Sequence, residues 1–187
     1  GFMQIDGIDV YGANCLVENA IIYNCRVLGY FTSGANSGIQ NSLIYDVGWN
    51  GFQAYSSNLN FIINSNVSRC NGVGIDSYGS NTIITGNYVH DMATTIPGPS
   101  TGGAWGIGLE HDSYSGTSGG TGSGNYLLIA GNNIVNCPVG IRVSSSGQGA
   151  IDYVLVSGNT LTNADTMNYY GSISLDDSSY DILSFNT

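Results

Sequence analysis

A repeat of about 22 residues narrows the possible folds of this chain more than any other feature. Three segments align without gaps: NAIIYNCRVLGYF from Asn19, NSLIYDVGWNGFQ from Asn41 and NSNVSRCNGVGID from Asn64. In each, a small apolar side chain (Cys25, Val47, Cys70) follows the Asn six residues on, and a Gly (Gly29, Gly51, Gly74) comes four later. An apolar residue follows each Gly: Tyr30, Phe52, Ile75. The second half keeps the theme in a slightly different register, with GNYVHDM from Gly86, GNNIVNCPVGI from Gly131 and GNTLTNA from Gly158. Gly106-Ile107 and Gly140-Ile141 repeat the Gly-apolar pair, and the final ILSFNT reads as the opening of another rung.

Within each unit apolar and polar residues alternate over a few positions, the pattern of a half-buried strand, and no long segment has a helical period. So short a unit cannot bury its inward face alone. Stacking units at the inter-strand spacing of about 4.8 Å completes both the hydrogen bonds and the core. The reading is an all-β fold: a single-stranded right-handed parallel β-helix of about seven rungs. It occupies residues 1–187 as one domain of a longer chain, with an insertion-bearing rung at about 87–124. Asn at the repeated turn position suits a left-handed corner and can stack as an amide ladder between coils.

The pattern N-x-I-x-x-C/N followed by G-I resembles the parallel β-helix repeat of the pectate-lyase-like superfamily, over essentially the whole chain. The resemblance implies the fold. It does not choose among the polysaccharide lyases, hydrolases, epimerases, phage tailspikes, adhesins and surface proteins that share it. The chain departs from the enzyme families' signatures. The Asp-Pro-His-Asp, Asn-Thr-Asp, Gly-His-Gly and Arg-Ile-Lys motifs are absent, as is the GGxGxD calcium repeat, so no family catalytic residue carries over.

Charge excludes several partners. The net charge is −10, there is no lysine, and the strong cations are Arg26, Arg69 and Arg142. Nucleic-acid binding needs a basic surface to displace counterions, and anionic membranes attract the same charge. No apolar run is long enough for a membrane-spanning helix, so no membrane insertion is expected. Charged residues are 9% of the chain, and polarity comes from Gly, Ser, Thr and 21 Asn, which suits an extracellular or cell-surface protein. Cys25 and Cys70 fall at equivalent inward positions two rungs apart, about 9–10 Å, too far for a disulfide, so they read as buried thiols. Asn66-Val67-Ser68 is a formal glycosylation sequon lying within a rung.

The Gly-apolar pairs also set a register. With Tyr30, Phe52, Ile75, Ile107 and Ile141 inward, the next residues form an exposed column: Phe31, Gln53, Asp76, Gly108 and Arg142. Ser33, Tyr55, Tyr78, Glu110 and Ser144 form a second, with Thr32, Ala54, Ser77, Leu109 and Val143 inward between them. The loops MATTIPGPSTGGAW and SYSGTSGGTGSG interrupt the same rung on either side of Trp105–Asp112, and insertions in solenoids gather on the binding face. The expected site therefore has Asp76 and Glu110 as a carboxylate pair dividing acid and base roles, or His111 abstracting a proton. Tyr55, Tyr78, Trp105, Asp112 and Arg142 would contact substrate, and Gly108 would leave a notch between Asp76 and Arg142.

Blander assignments compete. Glu110-His111-Asp112 reads equally as a polar strand end, Arg142 as a surface ion pair with Asp76 or Glu110, and His90-Asp91 as a turn hydrogen bond. Calcium could use Glu110 with Asp112, or Asp176, Asp177 and Asp181. No spacing among them is diagnostic, Asp176 and Asp177 read as solvated turns, and no cofactor is required. Two functions follow. The first is an extracellular domain that binds or processes a polysaccharide, lyase- or hydrolase-like, through the outer groove. The second is a structural surface, sheath or fibre protein that self-assembles as a homo-oligomer or filament through end-to-end or lateral contacts.

Overall fold

The computed structural model describes residues 6–55, 59–78, 81–92, 105–111, 125–145, 151–164, 172–176, 178–179 and 181–187. Within it the chain winds into successive coils. The first three coils are β1 (Ile8–Val10), β2 (Leu16–Glu18) and β3 (Ile21–Cys25); β4 (Tyr30–Thr32), β5 (Gly38–Gln40) and β6 (Leu43–Val47); and β7 (Phe52–Ala54), β8 (Phe61–Ile63) and β9 (Asn66–Cys70). The next three are β10 (Ile75–Ser77), β11 (Ile83–Thr85) and β12 (Tyr88–His90); β13 (Trp105–His111), β14 (Asn125–Ala130) and β15 (Asn133–Val135); and β16 (Val139–Ser145), β17 (Ile151–Ser157) and β18 (Thr160–Thr162). A last, partial coil holds β19 (Ile173–Asp176), β20 (Ser178–Ser179) and β21 (Ile182–Ser184).

Every pairing is parallel and joins one coil to the next, so three sheets run along the solenoid. Sheet A has seven strands (β1 to β19), sheet B eight (β2 to β21) and sheet C six (β3 to β18) among the described residues. This is the expected all-β parallel solenoid, with slightly fewer complete coils than seven because sheet C stops one strand short.

Each coil turns at left-handed residues. Asn14, Asn36, Leu59, Asn81, Tyr126 and Tyr153 turn it from sheet A to sheet B, all at positive φ. Asn19, Asn41, Asn64, Gly86, Gly131, Gly158 and Phe185 turn it from B to C. Asn supplies this geometry at low strain and Gly at none. Gly86, Gly131 and Gly158 thus occupy the corner that Asn19, Asn41 and Asn64 hold earlier, and the two halves share one register.

Turn amides bond from coil to coil, as Asn36 Nδ2 donates to Asn14 Oδ1 at 3.1 Å and Asn163 Nδ2 to Asn136 Oδ1 at 3.0 Å. The longest and most buried ladder belongs to the residue after the B-to-C corner: Asn87, Asn132, Asn159 and Asn186. The Oδ1 of Asn132 accepts from the backbone N–H and Nδ2 of Asn87, at 2.9 and 3.0 Å. Asn132 Nδ2 donates to Asn159 Oδ1 at 2.9 Å and to the carbonyl of Ile84 at 3.0 Å. Asn159 bonds Asn186 in the same way. Ser65 and Ser42 continue the column toward β3, the Ser65 backbone N–H donating to Asn87 Oδ1 at 2.9 Å.

The return corner from sheet C to sheet A has a different requirement. A Cβ at Gly51 would lie 2.6 Å from the carbonyl oxygen of Gly74 and 2.6 Å from Val67 Cγ1. The same close approach repeats at Gly29, Gly74, Gly106 and Gly140. Only a residue without a side chain lets consecutive corners stack here.

The core is a continuous stack. Tyr30, Phe52, Ile75, Ile107 and Ile141 pair in register and are wholly buried. Thr32, Ala54, Ser77 and Val143 fill the inward column two residues on, as expected. Cys25, Val47 and Cys70 also stack inward in register, and all four cysteines are free, in agreement with the reading of buried thiols. Burial pushes the Cys25 and Cys70 thiols up, and Cys137 up to about 12.

Candidate functional site

The outer face of sheet A carries the two columns drawn from the sequence, and their register holds. Phe31, Gln53, Asp76, Gly108, Arg142 and Ser174 are consecutive Cα partners. Glu110 pairs with Ser144, and Ser144 with Asp176. Asp176 therefore lies in a strand of sheet A, not in a solvated turn. Asp177 and Asp112 lie outside the described residues. For Glu110 and His111 the backbone is described as the end of β13, with Glu110 at an outer-face position, and their side chains lie outside the description.

Exposure departs from expectation. Asp76 is 1% exposed and Gln53 7%. The corner before the strand bonds to the Asp76 carboxylate. Asn50, itself buried, donates from Nδ2 to Asp76 Oδ2 at 2.7 Å and accepts at Oδ1 from the Val73 N–H at 2.8 Å. One amide thus fixes the carboxylate and the next corner together. A charge-dipole hydrogen bond of this kind offsets part of the desolvation that burial imposes on a carboxylate.

Gly108 is not a bare notch. A Cβ there would sit 3.0 Å from Trp105 Cε3 and 3.0 Å from Val73 Cγ1, so these two side chains roof the glycine. Gly at this position lets Trp105 fold back over its own strand. The ring then meets the guanidinium of Arg142, whose Cζ lies 4.6 Å from the ring centroid. The Gly108 position separates Asp76 from Arg142 as predicted, but it is filled by an indole rather than open.

Aromatic side chains line the rest of the face. Tyr55 and Tyr78 meet at 5.4 Å with their planes tilted by 54°. Tyr11 and Phe31 meet at 5.8 Å and 60°. Elsewhere the stacked pairs Tyr23–Tyr45 and Tyr126–Tyr153 are nearly coplanar, at 6° and 11°, so each ring covers its neighbour's face. The segments 93–104 and 112–124 join β12 to β13 and β13 to β14, so the extra length of this rung falls at the two edges of sheet A. Asn87 and Asn132, partners across that rung, are 45 residues apart, about twice the usual repeat.

Asn50, Val73, Tyr11 and Phe31 were not among the expected site residues. Asn50 had a signal: it is polar in the column before the corner glycines, where Leu28, Val73 and Val139 are apolar.

Charged groups elsewhere make local pairs. His90 Nδ1 lies 2.8 Å from Asp91 Oδ2 and Nε2 3.1 Å from Asn66 Oδ1, in keeping with a turn hydrogen bond. This engages the amide of the formal sequon. Arg69 bonds Asp46 in two-pronged fashion, and the guanidinium holds the Asp46 carboxyl below its usual range. Bonds from Asn136 and then His90 do the same for Asp91. Among the described residues no group of three His, Cys, Asp or Glu side chains is placed to hold a metal ion.

A family model described as a right-handed beta helix region matches residues 2–115. No curated protein and no solved structure matches the chain.

Proposed function

The chain belongs to the right-handed β-helix family, and on that premise we propose that it is an extracellular glycan-binding domain whose ligand lies on the outer face of sheet A. The observation carrying this reading is the outer face itself: the tilted pairs Tyr11–Phe31 and Tyr55–Tyr78 gather there beside the Trp105–Arg142 contact. Sugar rings present C–H faces that stack on aromatic surface and hydroxyls that bond to polar groups between. The contact with the indole holds the Arg142 guanidinium rigid at the edge of this aromatic face.

The reading extends to processing of that glycan, with Glu110 as acid or base. Asp76, buried and bonded to Asn50, then fixes the strand beside the site. A glycan array followed by calorimetry tests the binding. Trp105→Ala and Tyr78→Ala are each expected to weaken the best ligand about five- to 150-fold, given about 1–3 kcal/mol for a well-packed aromatic contact. Turnover of that ligand lost in Glu110→Gln would establish the processing step. No binding to any plant, algal or microbial glycan would overturn the proposal.

A further inference from the structure

The outer face of sheet B is unlike the rest of the surface. Its first outward column runs Leu16, Gly38, Phe61, Ile83, Leu128, Leu155 and Ile182, consecutive partners in register. The ring of Phe61 lies over Gly38, within 2.7 Å of where a Cβ would stand, so the apolar stripe has no gap. The second column runs Glu18, Gln40, Ile63, Thr85, Ala130, Ser157 and Ser184. Glu18 is the one charged residue in these two columns, and it bonds the Gln40 and Asn41 amides at 2.8 and 3.2 Å. Leu16 and Ile182 at the two ends are 52% and 59% exposed.

The geometry points to this face as the contact surface between two copies of the chain, related by a two-fold axis through Ile83 with the solenoids antiparallel. Three observations select a second copy. The chain carries a net charge of −10, so two copies repel wherever carboxylates face each other. Sheet A presents Asp9, and the outer corner of sheet C presents Asp46 and Asp91, whereas the sheet B columns hold only Glu18. Antiparallel packing sets each Glu18 against the partner's Ser184 end, about 30 Å from the other Glu18 and beyond the screening length of about 8–10 Å. A parallel arrangement would oppose the two glutamates.

Pitch supports the same partner. Side-chain rows on this face repeat every rung, about 4.8 Å, and a second β-solenoid is the surface whose rows share that spacing and can interdigitate. The face is about 30 Å long and about 15 Å wide, so two copies bury about 900 Å2 together, below the roughly 1,200 Å2 of standard interfaces and in the range of weak, transient association. The expected dimer is therefore of micromolar rather than nanomolar affinity. This inference is independent of the glycan reading, since the two faces are different sheets.

Sedimentation velocity of the chain from low micromolar to several hundred micromolar tests it. A reversible monomer–dimer equilibrium is expected. Ile83→Glu places two carboxylates across the axis and should weaken the dimer at least about 100-fold, because like charges juxtaposed in an interface cost several kcal/mol. Leu128→Glu is the second variant, should Ile83→Glu unfold by circular dichroism. Tyr88→Glu, on the outer face of sheet C, should leave the dimer unchanged. Ile83→Cys, opposed to itself by the two-fold, should form an intermolecular disulfide under mild oxidant. A strictly monomeric chain at the highest concentration would overturn the proposal. So would a dimer insensitive to both glutamates, or a monomer that floats with neutral phosphatidylcholine vesicles. Glycan binding should survive Ile83→Glu, so failure of either proposal can be told from failure of the other.

Discussion

Replacing Asn132 by alanine probes the amide ladder at its most connected point. The side chain is 1% exposed. Its Oδ1 accepts from the N–H and the Nδ2 of Asn87, and its Nδ2 donates to Asn159 Oδ1 and the Ile84 carbonyl. Alanine removes all four bonds and leaves the Asn87 N–H and the Ile84 carbonyl without those partners in the interior. At about 1 kcal/mol net per bond, with buried unsatisfied groups at the upper end, the loss is about 4 kcal/mol. For a chain of this size that corresponds to a Tm about 10 °C lower. Asn186→Ala is the internal comparison. It removes two bonds from Asn159 and one to the Val156 carbonyl at the partly buried end of the ladder, so about 1–2 kcal/mol is expected. Urea unfolding followed by far-ultraviolet circular dichroism measures both. A cost below about 1 kcal/mol for Asn132→Ala, or equal costs at the two positions, would refute the view that the ladder stabilises the coils through buried hydrogen bonds.

Further outcomes follow from the same geometry. Gly51→Ala should destabilise the fold by more than about 2 kcal/mol in a denaturant titration, because the new methyl meets the Gly74 carbonyl and Val67 at 2.6 Å. Gly131→Ala has nothing within 4 Å and should cost only about 1 kcal/mol, the strain of a φ of +64°. With a thiol reagent at pH 8, half-buried Cys15 should react first, whereas Cys25, Cys70 and Cys137, buried and with thiols pushed up, should stay protected until denaturant is added. The Asp46 carboxyl is held below its unfolded value by Arg69, so its contribution is present above the unfolded pKa and is lost as pH falls through the folded one. Asp46→Asn should therefore make stability less sensitive to acid below about pH 4, by a small amount suited to an exposed pair.

Much of the architecture was legible in the chain because a solenoid repeats its local rules. Corner Asn and Gly mark the left-handed turns, a Gly before an apolar residue marks the return to sheet A, and alternation assigns each strand residue to a face. These are local properties, and they placed Tyr30, Phe52, Ile75, Ile107 and Ile141 in one buried column and Asp76, Gly108 and Arg142 in the next. The buried amide ladder follows the corner: after Gly86, Gly131, Gly158 and Phe185 the next residue is the stacking Asn, and after Asn41 and Asn64 it is Ser42 or Ser65, a division of roles that only the turn geometry reveals.

The repeat by itself determined the coil, its three strands and which side chains point away from the axis, because stacking identical short units leaves few alternatives. Only the tertiary structure decided what happens beyond the outer face. Facing outward follows from strand alternation, but exposure depends on what neighbouring corners fold over the strand. Asn50 bonds the buried Asp76 and Val73 covers Gly108 through contacts between successive rungs, while Trp105 folds back over Gly108 within its own strand. The outward column therefore became a row of covered groups flanked by tilted aromatic rings.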